Sequence, residues 1–211
     1  MAIFMGVDPT SSEKKAPGCA VLDSHANLLS LRAIRTDAEI LDLVERHKPD
    51  IIGIDSPLGF PKGMCCLETS CPCESVHEFK GRRCERLLSA QGISLYYTTK
   101  RTFIKAMIYR SINLKEKMES MGSRVIEVYP YGSKVRLFGK PIPKKTTRVG
   151  LEFLHTRLSE LVPGLSEYEG KPNHDMYDGL VAAYTAYLYG LGQCELIGTE
   201  DEVQIALPKS S

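Results

Sequence analysis

The sequence has no apolar run that approaches the ~20 residues needed to cross a membrane. Its first residues carry no basic side chain, and Asp8 interrupts the first apolar stretch, so we expect no signal peptide. These absences predict a soluble, cytoplasmic protein without a membrane partner. The chain is also poor in heat-labile amides, with three Asn and three Gln, a bias that is typical of thermophilic proteins.

The sequence also lacks the motifs of two common catalytic classes. It has no Walker-type glycine-rich loop. Its five histidines are scattered and form no Ser-His-Asp pattern. His174, beside Asp175, is the one histidine that we place near a catalytic centre, and a helix-capping role suits it equally well. Acidic and basic side chains are therefore the main candidates for chemistry.

The net charge of +1 hides a basic segment in the middle of the chain. Residues 80–148 hold 17 Lys and Arg against four Glu and no Asp, a local charge of +13. Aromatic side chains are interspersed there, among them Tyr96, Tyr97, Phe103, Tyr109, Tyr129 and Tyr131. A solvated basic face would explain the charge alone. The combination favours a polyanionic partner, which is DNA or RNA.

Apolar runs bounded by turn residues predict an α/β fold with a single domain over residues 1–211. The strands are expected at 2–8, 18–22, 28–34, 51–55 and 124–130, with a short terminal hairpin at 194–197 and 203–207. The helices are expected after Thr36, over 102–121 and 151–161, and from about Asn173 onward.

Acidic residues occur where several of these elements begin or end. Asp8 and Asp55 each follow a buried strand and precede a proline turn, and Glu127 lies among apolar strand residues. Asp175 and Asp178 are three residues apart and share one face of the last helix. Turn or helix capping would explain each acid alone. If the strands are neighbours, however, the carboxylates meet and suit Mg²⁺ or Mn²⁺. Two such ions about 4 Å apart can hydrolyse a phosphodiester.

Five of the seven cysteines fall in a segment of different composition, at about residues 60–84, which we expect to be an insertion after the fourth strand. They are Cys65, Cys66, Cys71, Cys73 and Cys84, and His77 lies among them. Their spacing matches neither paired C-x-x-C motifs nor a zinc finger. Structural zinc, disulfide bonds and free thiols all stay open as interpretations.

Five segments occur in an order that is specific for one family. They are Gly6-Val7-Asp8, Ile54-Asp55-Ser56-Pro57-Leu58-Gly59-Phe60-Pro61, Gly81-Arg82-Arg83-Cys84-Glu85-Arg86, Ile126-Glu127-Val128-Tyr129-Pro130 and His174-Asp175-Met176-Tyr177-Asp178-Gly179-Leu180-Val181-Ala182-Ala183. The order of elements resembles the ribonuclease H-like fold, in particular its Holliday-junction-resolvase branch. More narrowly, the chain resembles the family catalogued as domain of unknown function 429, which is described as predicted nucleases.

This resemblance implies a ribonuclease H-like fold, with a mixed central sheet of about five strands and helices on both faces. It implies that the family's acids correspond to Asp8, Asp55, Glu127 and Asp178, and its basic motif to Arg82, Arg83 and Arg86. We therefore expect catalytic roles for Asp8, Asp55, Glu127, Asp175 and Asp178. Mg²⁺ or Mn²⁺ is expected at Asp8, Asp55 and Asp178. Substrate binding is expected at Arg82, Arg83, Arg86, Lys144 and Lys145.

Three functions are consistent with the sequence. A metal-dependent phosphodiesterase, or nuclease, acting on DNA or RNA accounts for both the acids and the basic segment. A non-catalytic nucleic-acid-binding module, stapled by zinc, is the alternative. A phosphotransferase of the actin-like type is less favoured, because such enzymes close two lobes over a nucleotide and this chain has the length for one. A homodimer is compatible with the sequence.

Overall fold

The computed structural model describes residues 1–10, 16–76, 78 and 80–210. Their strands form one seven-stranded sheet in the order β3-β2-β1-β4-β5-β7-β6. The strands are β1 (Phe4–Asp8), β2 (Gly18–Leu22), β3 (Leu28–Ala33), β4 (Ile51–Ile54), β5 (Arg124–Val128), β6 (Cys194–Ile197) and β7 (Ile205–Pro208). The pairs β1–β4, β4–β5 and β5–β7 are parallel, and the outer pairs are antiparallel. The predicted mixed sheet is confirmed, and the terminal hairpin extends it from about five strands to seven.

Helices cover both faces of the sheet, as expected. They are α1 (Asp37–His47), α2 (Arg83–Ala90), α3 (Lys105–Ser120), α4 (Pro130–Phe138), α5 (Arg148–Ser159) and α6 (His174–Gly190). Apolar residues of α5 and α6 pack on one face, and those of α1 and α3 pack on the other. No helix formed by the described residues is long and apolar enough to cross a membrane.

Helix α6 touches the sheet at backbone distance because glycines line the contact. A Cβ atom on Gly6 would lie 2.1 Å from the backbone nitrogen of Ala183, and one on Gly179 would lie 2.5 Å from the carbonyl oxygen of Gly18. Any side chain at these positions would push the helix away from β1 and β2. The close contact holds the acidic first turns of α6 beside the carboxyl end of β1.

The cysteine-rich insertion follows β4, as predicted. The described residues between 55 and 82 form neither helix nor strand, and Leu67 is the only buried residue among positions 62–76. The segment closes on itself where the Val76 amide donates to the Lys62 carbonyl at 2.9 Å. His77 lies outside the described residues.

Candidate active site

Three of the predicted acids converge at the carboxyl edge of the sheet. Parallel pairing sets Val7 opposite Ile54, so Asp8 and Asp55 are neighbours just beyond the paired residues. Asp178 reaches the same point from the second turn of α6. One carboxylate oxygen of each residue lies within 4.8 Å of those of the other two. Asp8 and Asp178 are buried, and Asp55 is partly buried.

Two lysines neutralise Asp178, and within the described part of the chain Asp8 and Asp55 have no equivalent lysine contact. Lys134 Nζ donates to Asp178 Oδ1 at 2.7 Å, and Lys145 Nζ donates to Oδ2. The Lys134 side chain is 3% exposed, whereas that of Lys145 is 40% exposed. The Lys145 side chain is therefore accessible to solvent, while Lys134 is enclosed by the fold.

The electrostatics of the three acids differ accordingly. Burial raises the pKa of Asp8 well above its ordinary value, and the charges of Asp55 and Asp178 raise it further. Burial likewise raises the pKa of Asp55 to about 7, with the charge of Asp178 contributing. Burial opposes ionisation of Asp178 as well, but Lys134 and Lys145 outweigh it and lower the pKa of Asp178. Without a further cation, these three carboxyl groups together therefore carry fewer than three negative charges at neutral pH.

Glu127 and Arg82, predicted as a catalytic acid and a substrate-binding residue, are paired with each other. Both guanidinium Nη atoms of Arg82 donate to the Glu127 carboxylate at 2.6 Å, and the Leu58 amide donates to the same carboxylate at 2.8 Å. Arg82 Nε also donates to Glu85 at 2.9 Å. All three charged side chains are buried. Arg82 contacts both carboxylates, so this network supports the wall of the site and leaves neither acid without a partner.

The remaining predicted residues divide between the site and the surface. Asp175 lines the same cleft as the three acids, with its Oδ1 2.8 Å from His174 Nδ1. Arg83 is exposed away from the cleft, and Arg86 donates to the Gly81 carbonyl at 2.7 Å. Lys134 is a site residue that the sequence analysis missed. The proline at the first position of α4 was the available signal, because proline is common where a helix begins.

A cleft of about 710 Å³ opens above the three acids. Lys144 and Lys145 line it, as do the aromatic side chains of Tyr96 and Phe103. The two rings are largely exposed and meet edge to face, with 4.9 Å between their centroids. The cleft therefore combines a buried acidic end, lysines and an exposed aromatic pair.

Four of the five clustered cysteines also converge. The sulfur atoms of Cys65, Cys66, Cys71 and Cys73 all lie within 4.8 Å of one another. All seven cysteines belong to the described residues, and each is a free thiol. Cys84 stands apart from the group, because it is buried in α2 and its thiol donates to the Val203 carbonyl at 3.6 Å.

Comparisons with known proteins agree with this architecture. The profile of a family described as "Protein of unknown function (DUF429)" matches residues 6–203. Among solved structures, RuvC from Thermus thermophilus superposes with a TM-score of 0.51 at 14% identity, over 90% of this chain and 96% of RuvC. T. thermophilus RuvC in complex with a Holliday junction substrate gives the same TM-score and identity, over 91% of this chain and 97% of RuvC. No curated protein sequence matches the chain. At this identity the structural likeness establishes the ribonuclease H-like fold.

Proposed function

The chain belongs to the DUF429 family and has a ribonuclease H-like fold, and from these premises we propose that it is a metal-dependent phosphodiesterase that cuts nucleic acid. One observation carries the proposal: Asp8, Asp55 and Asp178 come from three separate elements and bring oxygen ligands within 4.8 Å of one another. Carboxylates held this close repel unless cations neutralise them. The cleft above them joins this acidic centre to lysines and exposed aromatic rings, which suit a nucleic acid.

The residues present fit a divalent metal. Three carboxylates supply the hard oxygen ligands that Mg²⁺ and Mn²⁺ prefer, and Asp175 lines the cleft beside them. The Lys145 ammonium occupies a position where a metal ion could bind, because it contacts Asp178 and is also attracted by the charges of Asp8 and Asp55. When bound, metal ions would supply the Lewis acidity that promotes attack of water on a phosphodiester.

The two lysines then take different roles. Lys134 is buried against Asp178 and orients that carboxylate. Lys145 is long, flexible and partly exposed, so it can exchange Asp178 for a substrate phosphate when metal arrives. A divalent ion would bring more positive charge to the three acids than the single ammonium it replaces, and Lys145 would then be available to the phosphate. Lys144, exposed on the same rim, adds a second phosphate contact.

The aromatic pair indicates how the nucleic acid is held. Rings such as Tyr96 and Phe103 stack with bases, and an exposed pair serves a strand whose bases are unpaired or unstacked. Unpaired bases occur in single strands and at the crossing point of branched DNA. Because T. thermophilus RuvC was solved with a Holliday junction substrate, a four-way DNA junction belongs among the test substrates.

A non-catalytic nucleic-acid-binding module is the second candidate. It is favoured by one observation, namely that lysines contact both oxygens of Asp178 while Arg82 occupies Glu127. Such pairing would preserve the fold without metal. The two functions differ in a simple outcome, since the module binds nucleic acid and leaves it intact.

Cleavage assays with matched variants test the proposal. Single-stranded DNA, single-stranded RNA and a four-way DNA junction are incubated with the protein in Mg²⁺, Mn²⁺ or EDTA. We expect cleavage with metal, reduced by Asp8→Asn and by Asp55→Asn to the level seen in EDTA. The control is Asp42→Asn, which changes an exposed acid of α1 that pairs with Arg46. Cleavage that persists in both site variants would rule out this mechanism, and binding without cleavage would favour the module.

A further inference from the structure

We propose that Cys65, Cys66, Cys71 and Cys73 bind one structural zinc ion. Their four sulfur atoms lie within 4.8 Å of one another in the insertion that follows β4. Four thiolates around one ion form a common closed site for structural zinc. The sequence pattern alone left zinc, disulfides and free thiols open, and it grouped Cys84 with the other four.

The distances suit a single ion. Zinc–sulfur bonds of about 2.3 Å in a tetrahedron place the sulfurs about 3.8 Å apart. Cys65 Sγ and Cys71 Sγ are 3.6 Å apart, which is close to that separation and far beyond a covalent S–S bond of about 2.05 Å. An iron–sulfur cluster is larger than one ion and would hold its four thiolates further apart. The mutual approach of all four sulfurs therefore favours a mononuclear site.

The insertion also needs a cross-link to hold its conformation, because it has almost no hydrophobic core of its own. Among the described residues 62–76, only Leu67 is buried, and no helix or strand forms. Short segments that cannot bury enough apolar surface are usually held by metals or disulfides. Because none of its cysteines forms a disulfide, metal is the cross-link that these residues offer.

The surroundings can offset the charge of such a site. Four thiolates around Zn²⁺ carry a net charge of about −2. Lys100 Nζ donates to the Cys71 carbonyl at 2.5 Å, and Lys80 lines a pocket of about 240 Å³ together with Cys73. Lys105 Nζ lies 3.6 Å from the carboxylate oxygen Oε2 of Glu68, a residue of the insertion. Positive side chains thus approach the cysteine group from outside the insertion.

Zinc here would anchor one wall of the cleft. Leu67 packs against Ile104 and Ile108, and its amide donates to the Tyr109 hydroxyl at 2.7 Å. These contacts connect the insertion to the start of α3, directly after Phe103. Ordering the insertion therefore orders the segment that presents this ring to the cleft.

Metal analysis of the full-length protein tests the proposal without any activity assay. The protein is purified without added metal or chelator, and zinc, iron and acid-labile sulfide are measured per chain. We expect about one zinc per chain, released by a mercurial reagent that titrates thiols. After replacement by Co²⁺, the absorption bands of tetrahedral thiolate coordination should appear. Wild-type protein with no zinc, with iron and sulfide, or with a mass deficit that reveals disulfides would overturn the proposal.

Variants locate the site and separate it from the acidic centre. Cys71→Ser and Cys73→Ser should each lower the zinc content by more than half, while Cys194→Ser, at a cysteine of β6, should leave it unchanged. Asp8→Asn should also retain the zinc content of the wild type, because Asp8 belongs to the acidic centre with Asp55 and Asp178. Equal zinc content in all four variants would place the metal elsewhere and overturn the assignment. Failure of the nuclease proposal would not alter these results.

Discussion

Asp55 makes the free energy of unfolding depend on pH. Its pKa is raised from 3.8 to about 7 in the metal-free fold, chiefly by burial. Between these two pH values the unfolded chain releases the proton while the folded chain retains it. The contribution of this group to stability is therefore full below about pH 4, decreases as the pH rises and levels off above about 7. Divalent metal would restore the lost stability by neutralising the carboxylate.

We predict that Asp55→Asn stabilises the metal-free protein at pH 8 and has little effect at pH 4. The gain should be about 1–3 kcal/mol, discounted because the side chain is only partly buried. Urea unfolding in EDTA at both pH values measures it, with Asp42→Asn as the control. A variant that is less stable than wild type at pH 8 would show that burial does not penalise this charge.

In the proposed mechanism Lys145 competes with metal for Asp178, so its removal should change the affinities for metal and for nucleic acid in opposite directions. Lys145→Ala is predicted to tighten Mn²⁺ binding about tenfold, because it removes a charge-assisted hydrogen bond worth about 1.5 kcal/mol. The same change should weaken nucleic-acid binding and make it less sensitive to salt. Calorimetric titration with Mn²⁺ and salt-dependent binding measure the two effects.

Lys117→Ala serves as the comparison, since this lysine is exposed on the last turn of α3. It should change neither Mn²⁺ affinity nor the affinity for a short oligonucleotide. Weaker Mn²⁺ binding after Lys145→Ala would mean that the ammonium supports the metal site instead of competing with it.

At the scale of elements, α2 is joined to β5 by the ion pair of Arg82 with Glu127. Arg82→Met would leave Glu127 and Glu85 as unpaired buried charges, and we predict a loss of about 3–5 kcal/mol in the free energy of unfolding. Arg83→Met, at the next position, changes an exposed side chain and should alter stability by no more than about 0.5 kcal/mol. Urea unfolding compares the two variants. Similar effects would contradict the structural role of Arg82.

The element pattern was predictable where the signal is local. An apolar run that ends in Asp before a proline turn marked both β1 and β4, and acids three residues apart marked the start of α6. Helix α4 was missed because Pro130 was interpreted as the end of a strand, although it occupies the first position of the helix. Lys134 was missed with it, since the burial of a lysine becomes visible only once its helix is placed.

Contacts between distant residues were the part that the sequence could not supply. Arg82 and Glu127 are 45 positions apart, and each alone has the chemistry of a functional group. The one available signal was the position of Glu127 among apolar strand residues, because a buried acid needs a partner. That rule demands a partner without saying which of the many basic residues it is.

At the scale of the whole molecule, the basic side chains of residues 80–148 divide between the interior and the cleft. Its local charge of +13 suggested a surface for polyanions, yet Arg82 and Lys134 point inward and neutralise buried acids. Lys144 and Lys145 reach the cleft instead. Part of the charge asymmetry therefore serves the fold, and the surface proposed to bind nucleic acid is narrower than the composition indicated.

The sheet order explains why the acids meet at all. Strands β1 and β4 are neighbours near the middle of the sheet, and α6 crosses their face at backbone distance. In open α/β sheets, ligands bind beyond the carboxyl ends of such strands. Acids from positions 8, 55 and 178 are thereby brought to one point.

Diffraction from a crystal soaked in Mn²⁺ tests the central claim most directly, with data collected where manganese scatters anomalously. We predict an anomalous peak from a manganese ion that is coordinated by Asp8, Asp55 and Asp178. The Lys145 ammonium should be displaced from Asp178 Oδ2. A crystal of Asp8→Asn soaked in the same way should show a weaker peak or none. A wild-type map without a peak at this position, and with Lys145 still in place, would contradict a metal-dependent active site.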